Sequence, residues 1–295
     1  MDSEKRVPEK IEKPLMVKQN GKQPAEPVAR GREARMEVAQ RCHVGKQRAR
    51  NEDSLFTFVS QSGGDQPIPP VGLFIVADGM GGHSDGHRAS KIASRTVARH
   101  VLDEVYRPLL GPGSNGPQKP VQEVLVDAVV QANRAIADPD PEKVMGTTLT
   151  AALVLANRLF LVHAGDSRAY LWHEGKLQAV TTDHSLVQAL QDAGHLTPAE
   201  AAIHPERNIL YRALMGDNPN AEMLEQVDTF TRTLPQRGQL MLCSDGLWGL
   251  VPETEMSAIL ADSGSLQEKA DQLLEAALEA GGDDNITVIL VDFTF

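Results

Sequence analysis

Cysteine is nearly absent from this 295-residue chain. Cys42 and Cys243 are the two cysteines, and neither belongs to a C-x-x-C or other metal-ligand spacing. This shortage disfavours zinc held by thiolates and a disulfide-stabilised secreted fold. Cys243 stands at the end of an apolar run, so we expect it to be a small buried side chain.

Long apolar runs are missing too. No stretch of the sequence approaches the roughly 20 residues that a helix needs to span a bilayer. The opening residues, MDSEKRVPEKIEKP, contain no apolar segment of the kind found in a secretory signal. These features predict a cytoplasmic protein without a membrane span.

Basic residues are fewer than acidic residues. The chain has 29 Lys and Arg against 40 Asp and Glu, which gives a net charge of −11. Because a protein that binds a nucleic-acid backbone needs a basic face, this balance disfavours nucleic acid as a partner. A hydrophobic fraction of 41% is nevertheless typical of a soluble folded protein.

The composition divides the chain into two parts. Residues 1–36 are rich in Lys, Glu, Gln and Pro and show no hydrophobic period, which predicts a flexible, disordered tail. Residues 37–295 are predicted to form one folded domain. Within it, residues of about 186–216 show two short helical patterns and no clear strand, so we expect an insertion over the sheet, which we call the flap.

Strand patterns outnumber helical patterns in the predicted domain. The helical patterns come in two pairs, at about 86–107 with 121–137, and from about 253 with 265–280. This arrangement favours sheets packed on each other with helices outside, an α+β fold, over alternating βαβ units. Residues 148–157, 158–166 and 168–180 predict an antiparallel meander with turns at Asn157–Arg158 and Glu174–Gly175.

Acidic residues beside Gly or Ser recur at the edges of apolar runs. Five motifs show this pattern: RARNEDS (48–54), ADGMGGH (77–83), AGDSRAY (164–170), LCSDGLW (242–248) and GGDDNITVIL (281–290). A sixth motif, GTTLT (146–150), also borders an apolar run but has no acidic residue. Carboxylates at strand ends are costly unless something pairs with them, so a shared cluster would need cations. Oxygen ligands without clustered His or Cys point to Mg²⁺ or Mn²⁺. For any single motif the ordinary alternative stays open, in which Asp caps a turn and Gly supplies a positive φ.

The ordered set of these motifs, together with DHS (183–185), resembles the metal-dependent PP2C family of protein Ser/Thr phosphatases in its bacterial form. The likeness runs from about Glu37 to Phe295. It implies a four-layer αββα sandwich, in which two antiparallel sheets are flanked by helix pairs and a binuclear metal site lies at one end. It also implies hydrolysis of phosphoserine and phosphothreonine by attack of a metal-bridging water or hydroxide.

The resemblance assigns metal ligands by position. Asp78 would bridge two ions, either Mn²⁺ or Mg²⁺. Asp245 and Asp284 would complete the coordination of one ion, and Glu52 with the carbonyl of Gly79 would complete that of the other.

Other positions receive supporting roles from the resemblance. Asp166, with Asp245, would hold a weaker third ion, and Asp53 would hold a metal-bound water from behind the ligands. Arg48 would bind the phosphate group, and Asn285 would support the site. Met80 stands where animal members carry a proposed proton donor, so no side chain receives that role and a metal-bound water is expected to take it.

Several neighbouring residues are interpreted as structural. Thr147 and Thr148 are expected to satisfy backbone or carboxylate groups, and Arg168 to pair with an acidic residue. His83 and His87 are expected to make structural hydrogen bonds.

The implied partners are phosphorylated proteins, and a Ser/Thr protein kinase with its substrates; the protein is expected to be a monomer. Two alternatives stay open at this point. One is a catalytically inactive relative that binds phosphoproteins, and the other is a phosphatase dedicated to one partner-switching regulator.

Overall fold

The computed structural model describes residues 34–64, 68–81, 85–111, 116–137, 145–216 and 227–295. The described strands are, in chain order, β1 (Arg35–His43), β2 (Ser54–Ser60), β3 (Val71–Ala77), β4 (Gly79–Gly81), β5 (Met145–Thr147), β6 (Leu149–Leu155), β7 (Arg158–Ala164), β8 (Arg168–His173), β9 (Lys176–Ala179), β10 (Asp228–Thr233), β11 (Arg237–Cys243) and β12 (Ile286–Thr294). The predicted tail falls outside these ranges up to residue 33, so its disorder there stays a prediction. The folded part begins earlier than predicted, because Arg35 and Met36 already belong to β1 and Met36 is buried.

The described helices are α1 (Gly86–Val101), α2 (Arg107–Leu109), α3 (Val121–Ile136), α4 (Leu186–Asp192), α5 (Pro198–Ala202), α6 (Asp245–Trp248), α7 (Glu253–Ala261) and α8 (Leu266–Glu279). A π-helical turn over Leu102–Tyr106 joins α1 to α2. Capping boxes begin α5 at Thr197 and α8 at Ser265. In the described part of the chain, no helix combines the length and apolarity that crossing a bilayer requires.

Two five-stranded antiparallel sheets form the centre of the domain. The first sheet has the order β1-β12-β11-β8-β9, and the second has the order β10-β7-β6-β3-β2. A small third sheet pairs β4 with β5, which the sequence did not predict because each strand has three residues. β10 starts at Asp228 and forms one edge of the second sheet.

Three apolar layers show how the sheets and helices stack. Alternate residues of β3 face different layers: Leu73 and Ile75 pack with α1 and α3, whereas Phe74 and Val76 pack against the first sheet. Because β3 is covered on both faces, its sequence is a continuous apolar run rather than an alternating one.

The other face of the first sheet is covered by α7 and α8. Met241 and Leu290 of that sheet share a buried cluster with Leu260 and Leu273 of the two helices. The layer order is therefore helix, sheet, sheet, helix, and the predicted αββα sandwich is confirmed. Cys243 is fully buried here, as predicted, and burial raises the pKa of its thiol to about 12.

The predicted meander is wrong at its third strand. β6 and β7 form a hairpin, but β8 belongs to the other sheet and pairs with β11 and β9. The chain crosses between the sheets at Gly165, whose φ of +111° suits glycine. Since both sheets are covered on both faces, the apolar pattern does not tell which sheet a strand joins.

One of the two hairpin turns lies where it was predicted, and the other is displaced by one residue. The β6–β7 turn lies at Ala156–Asn157, one residue earlier than predicted, with Ala156 at φ 53°. The β8–β9 turn at Glu174–Gly175 is confirmed. Both of its residues have positive φ, as a two-residue type I′ hairpin turn requires.

His163 gives this fold a testable pH dependence. Its ring is fully buried in β7, with Nδ1 2.9 Å from Thr150 Oγ1 and Nε2 3.1 Å from the Thr182 carbonyl. Burial, reinforced by neighbouring His184, lowers the pKa of His163 to about 3. Between pH 6.5 and 3 the unfolded chain therefore binds a proton that the folded chain does not, and stability falls as pH falls.

We expect the free energy of unfolding to lose about 2 kcal/mol between pH 7 and pH 5 through this histidine. Urea unfolding of the wild type and of His163→Gln at both pH values checks it, because the variant should lack this part of the pH dependence. The matched control is His195→Gln, at an exposed position. Equal pH dependence in wild type and His163→Gln would rule the assignment out.

Candidate active site

One open cleft of about 630 Å³ collects the residues that the sequence singled out. Of the predicted site residues, those that line it are Arg48, Glu52, Asp78, Gly79, Asp166, Asp245, Asp284 and Asn285. Asp53 is not part of this lining. The flap contributes the other side of the cleft, through residues between Asn208 and Met215.

The strand topology explains why the acidic residues meet. Asp245 follows the end of β11, and Asp284 comes just before the start of β12. Because β11 and β12 are antiparallel neighbours, the end of one lies beside the start of the other. Asp78 and Asp166 follow the ends of β3 and β7 in the second sheet.

Two threonines fix the backbone of Asp78. The Asp78 amide donates to Thr148 Oγ1 at 2.9 Å, and the Asp78 carbonyl accepts from Thr147 Oγ1 at 2.9 Å. The Thr148 amide also donates to the Asp78 carbonyl at 2.8 Å. Both threonines thus serve the backbone at the site, as predicted.

Gly79 lies where two backbone segments approach closely. A Cβ at this position would stand 2.2 Å from the Gly86 carbonyl oxygen, so no other residue fits without movement. A Cβ on Gly86, in turn, would lie 2.9 Å from both Glu52 Oε2 and the Gly79 carbonyl oxygen. These two oxygens border one small space, as two ligands of the same ion must.

The Asn285 side chain stabilises the loop that carries Glu52 through three hydrogen bonds to its backbone. Its Nδ2 donates to the carbonyls of Val44 at 2.9 Å and Arg50 at 3.0 Å. Its Oδ1 accepts from the Glu52 amide at 2.7 Å. The side chain therefore orients Glu52 from the start of β12.

Asp53 is tied to the residue that precedes Asp245. Its Oδ2 accepts a hydrogen bond from Ser244 Oγ at 2.7 Å, and Ser244 Oγ accepts from the Thr287 amide at 3.0 Å. The role of Ser244 was missed in the sequence, since a serine before Asp-Gly gives no signal beyond that of an ordinary helix cap.

Arg48 stands at the mouth of the cleft and pairs with a predicted metal ligand. Its Nη2 donates to Asp284 Oδ2 at 2.6 Å, and this hydrogen bond raises the pKa of the guanidinium. About half of the Arg48 side chain is exposed. The sequence placed Arg48 near the site but did not predict the ion pair.

Asp166 is held through its backbone by a tryptophan that the sequence analysis did not single out. Trp248 Nε1 donates to the Asp166 carbonyl at 2.9 Å. The Trp248 ring is covered by the Arg168 guanidinium, whose Cζ lies 3.5 Å from the ring centroid. Arg168 makes two hydrogen bonds of 2.8 Å to Asp183, so its predicted pairing with an acidic residue is confirmed.

The carboxyl groups of the cluster are costly to ionise. Desolvation raises the pKa of Asp53 to about 7 and that of Asp245 to about 6, and neighbouring carboxylates add to both shifts. Desolvation likewise raises the pKa of Asp78 and Asp166, with further contributions from the other aspartates. A group of acids arranged in this way would be stabilised by bound cations.

The donor set fits divalent cations in its chemistry. Every predicted ligand is a carboxylate or carbonyl oxygen, the type that Mg²⁺ and Mn²⁺ prefer. Among the described residues, Asp53 Oδ1 and Asp245 Oδ1 are buried without a hydrogen-bond partner. In the same part of the chain no three acidic, His or Cys side chains already form an arrangement able to hold one ion, and Asp284 pairs with Arg48 instead.

Three residues close to Asp78 in the sequence bear on the question of a proton donor: Met80, His83 and His87. Met80 lines the cleft and has no proton to donate. His83 lies outside the described residues, so its predicted structural role is untested. His87 Nδ1 lies 3.5 Å from Arg50 Nη1, in keeping with a structural contact.

Comparison with known proteins agrees with this geometry. A family model described as protein phosphatase 2C matches residues 43–280. The chain is 40% identical over 256 residues to the serine/threonine phosphatase stp of Listeria welshimeri, covering 84% of this chain and 92% of that protein.

Solved structures extend the likeness to the fold. The Mycobacterium tuberculosis serine/threonine phosphatase PstP/Ppp aligns with a TM-score of 0.72 and 37% identity over 88% of this chain and 99% of that one. The catalytic domain of PstP in complex with two manganese ions aligns with a TM-score of 0.71 and 34% identity over the same shares. This chain belongs to the protein phosphatase 2C family of phosphoprotein phosphatases.

Proposed function

We propose that this protein hydrolyses phosphoserine and phosphothreonine in other proteins with the help of divalent cations. The observation that carries the proposal is the gathering of the acidic residues in one cleft with Arg48 at its mouth. Phosphomonoesters hydrolyse very slowly unaided, so an enzyme must supply a nucleophile and neutralise negative charge. The related PstP domain, solved with two manganese ions, supports the choice of cation.

The proposed ion-binding residues divide between two main positions and a weaker third. Two ions, Mn²⁺ or Mg²⁺, would be held by Glu52, Asp78, Gly79, Asp245 and Asp284, and a third by Asp166 with Asp245. When bound, such ions lower the pKa of a water molecule, orient it for in-line attack and offset phosphate charge.

The chain's own residues hold this arrangement in place. Thr147 and Thr148 fix the backbone of Asp78, and Asn285 fixes the loop of Glu52. Asp53, bonded to Ser244, would orient a water from behind the ligands. These contacts fix the backbone positions from which Asp78 and Glu52 carry their side chains.

Arg48 is proposed to bind the phosphate oxygens of the substrate. A guanidinium carries five N–H donors, and the contact with Asp284 uses one nitrogen. The remaining donors form a planar fork that matches two phosphate oxygens. Arg48 can therefore hold the substrate while it remains paired with Asp284.

A phosphothreonine peptide provides the test of this function. The purified protein should release phosphate from it when Mn²⁺ or Mg²⁺ is present, and release little in EDTA. A matched peptide without the phosphate serves as the control for binding. Tight binding of the phosphopeptide without turnover at any cation concentration would contradict the proposal and would indicate an inactive phosphoprotein-binding relative.

Arg48→Lys should lower kcat/KM for the phosphothreonine peptide by about 10- to 100-fold, mainly through a higher KM. Lysine keeps the positive charge beside Asp284 but lacks the planar fork. Steady-state kinetics measures the effect, with the exposed Arg95→Lys on α1 as the matched control. A change of less than twofold at Arg48 would show that the guanidinium does not hold the phosphate.

The proposed partners are phosphorylated proteins, and a Ser/Thr protein kinase whose products this enzyme would reverse. We propose that it acts as a cytoplasmic monomer. A comparison of phosphoproteomes with active and Asp78-substituted enzyme would identify the substrates. A single affected protein would indicate a phosphatase dedicated to one regulator.

A further inference from the structure

The end of the flap exposes apolar side chains beside the catalytic cleft. The described large apolar residues with high exposure are Leu110, Ile203, Ile209 and Tyr211. Single exposed apolar residues are ordinary on a protein surface. Three of these four, however, lie within residues 203–211 of the flap, and Tyr211 itself lines the cleft while 53% exposed.

Tyr211 sits on a fixed segment. Its amide donates to the His184 carbonyl at 2.9 Å, and its ring lies 5.6 Å from the His184 ring. Three residues later, Leu214 exchanges two hydrogen bonds of 2.9 Å with Thr147 of β5. The segment is thus attached to the domain on both sides of the tyrosine.

Arg212, the charged residue next to Tyr211, already forms an ion pair. Arg212 Nη1 donates to Asp228 Oδ1 at 3.2 Å, and Asp228 Oδ2 lies 3.3 Å from His184 Nε2. Asp228 belongs to β10, so the ion pair fastens the end of the flap to the second sheet. The Arg212 guanidinium also lies near the Tyr211 ring, with its Cζ 5.6 Å from the ring centroid. Despite these contacts, 53% of Tyr211 remains exposed at this rim.

Tyr211 is connected to the backbone of Asp78 through Leu214 and Thr147. Thr147, which pairs with Leu214, donates its hydroxyl to the carbonyl of Asp78. A chain spans at most about 3.3–3.6 Å per residue, so Tyr211 lies no more than about 11 Å from Leu214. An extended substrate covers the same distance in about three residues.

We propose that Tyr211 forms a subsite for an apolar side chain two or three positions from the phosphorylated residue. The inference rests on the proposed function and specifies its substrate class: phosphopeptides with a Leu-like or aromatic residue near the phosphate. Placing such a side chain on an exposed aromatic ring removes apolar area from water on both partners.

The test compares phosphothreonine peptides that differ in one residue, Leu or Ser, at each position from three before to three after the phosphothreonine. Wild-type enzyme should favour Leu by about fivefold in kcat/KM at one or two positions on one side. Tyr211→Ser should bring that ratio close to one, whereas Tyr211→Phe and the control Leu110→Ser should keep it. Because each ratio is measured on one enzyme, changes in overall activity cancel.

Two results would overturn the subsite: a wild-type ratio near one at every position, or a preference that survives in Tyr211→Ser. If the wild type hydrolyses none of the peptides with Mn²⁺ present, the proposed function itself fails, and the subsite fails with it. The two failures are distinguishable, since the first leaves phosphate release intact.

Discussion

Asp78→Asn is expected to lower kcat/KM for a phosphothreonine peptide by about 10³-fold or more while the protein stays folded. Asp78 is the proposed bridge between two cations, and an amide carries neither the charge nor the two equivalent oxygens of a carboxylate. The fold should tolerate the change because the Thr147 and Thr148 contacts go to the Asp78 backbone. Steady-state kinetics with Mn²⁺, together with circular dichroism, measures both effects.

Asp283→Asn is the matched control for this substitution. Asp283 is exposed, precedes Asp284 and does not line the cleft. Its replacement removes the same charge from the same region and should leave kcat/KM within about twofold. Activity of Asp78→Asn within tenfold of wild type would show that Asp78 does not bridge catalytic ions.

Asp245→Asn is expected to abolish turnover and, in the presence of a chelator, to stabilise the fold. Desolvation and the nearby Asp284 raise the pKa of Asp245 to about 6, above its ordinary value. For an acid, a raised pKa in the folded state means that ionisation at pH 7.5 opposes folding. Replacing the charge should therefore raise the free energy of unfolding by about 3 kcal/mol.

Urea unfolding at pH 7.5 in EDTA measures this gain. Thermal unfolding with added Mn²⁺ measures how much the bound cation stabilises each protein. Wild type should gain much more in melting temperature from Mn²⁺ than Asp245→Asn, because ligand binding to the folded state stabilises it. A site selected for function at the expense of stability behaves in this way. If Asp245→Asn were less stable than wild type in EDTA and still responded fully to Mn²⁺, this explanation would be wrong.

The part of the site that follows from local sequence was predictable. Asp78 and Asp245 each follow a short apolar run and precede glycine, and Asp284 precedes another apolar run. These local signals mark strand ends, where polar side chains of a covered sheet can meet at one edge. The layer order was predictable for the same reason, since paired helical patterns separate the strand patterns.

Contacts between distant segments were not predictable in this way. Hydrophobic patterns report that β8 is buried, but not that it joins the first sheet rather than continuing from β7. The Trp248 contact with the Asp166 carbonyl joins segments about 80 residues apart and depends on how α6 packs. The ion pair of Arg48 with Asp284 spans most of the chain. Such contacts are set by tertiary packing rather than by local preference.

Cation binding is the most direct test of the whole account. Protein stripped with EDTA and then titrated with Mn²⁺ can be followed by calorimetry for bound ions and by phosphate release from a phosphothreonine peptide. We predict at least two bound ions, negligible release before the titration and restored release as the ions bind. Full phosphate release in excess EDTA would contradict the proposed role of the acidic cluster.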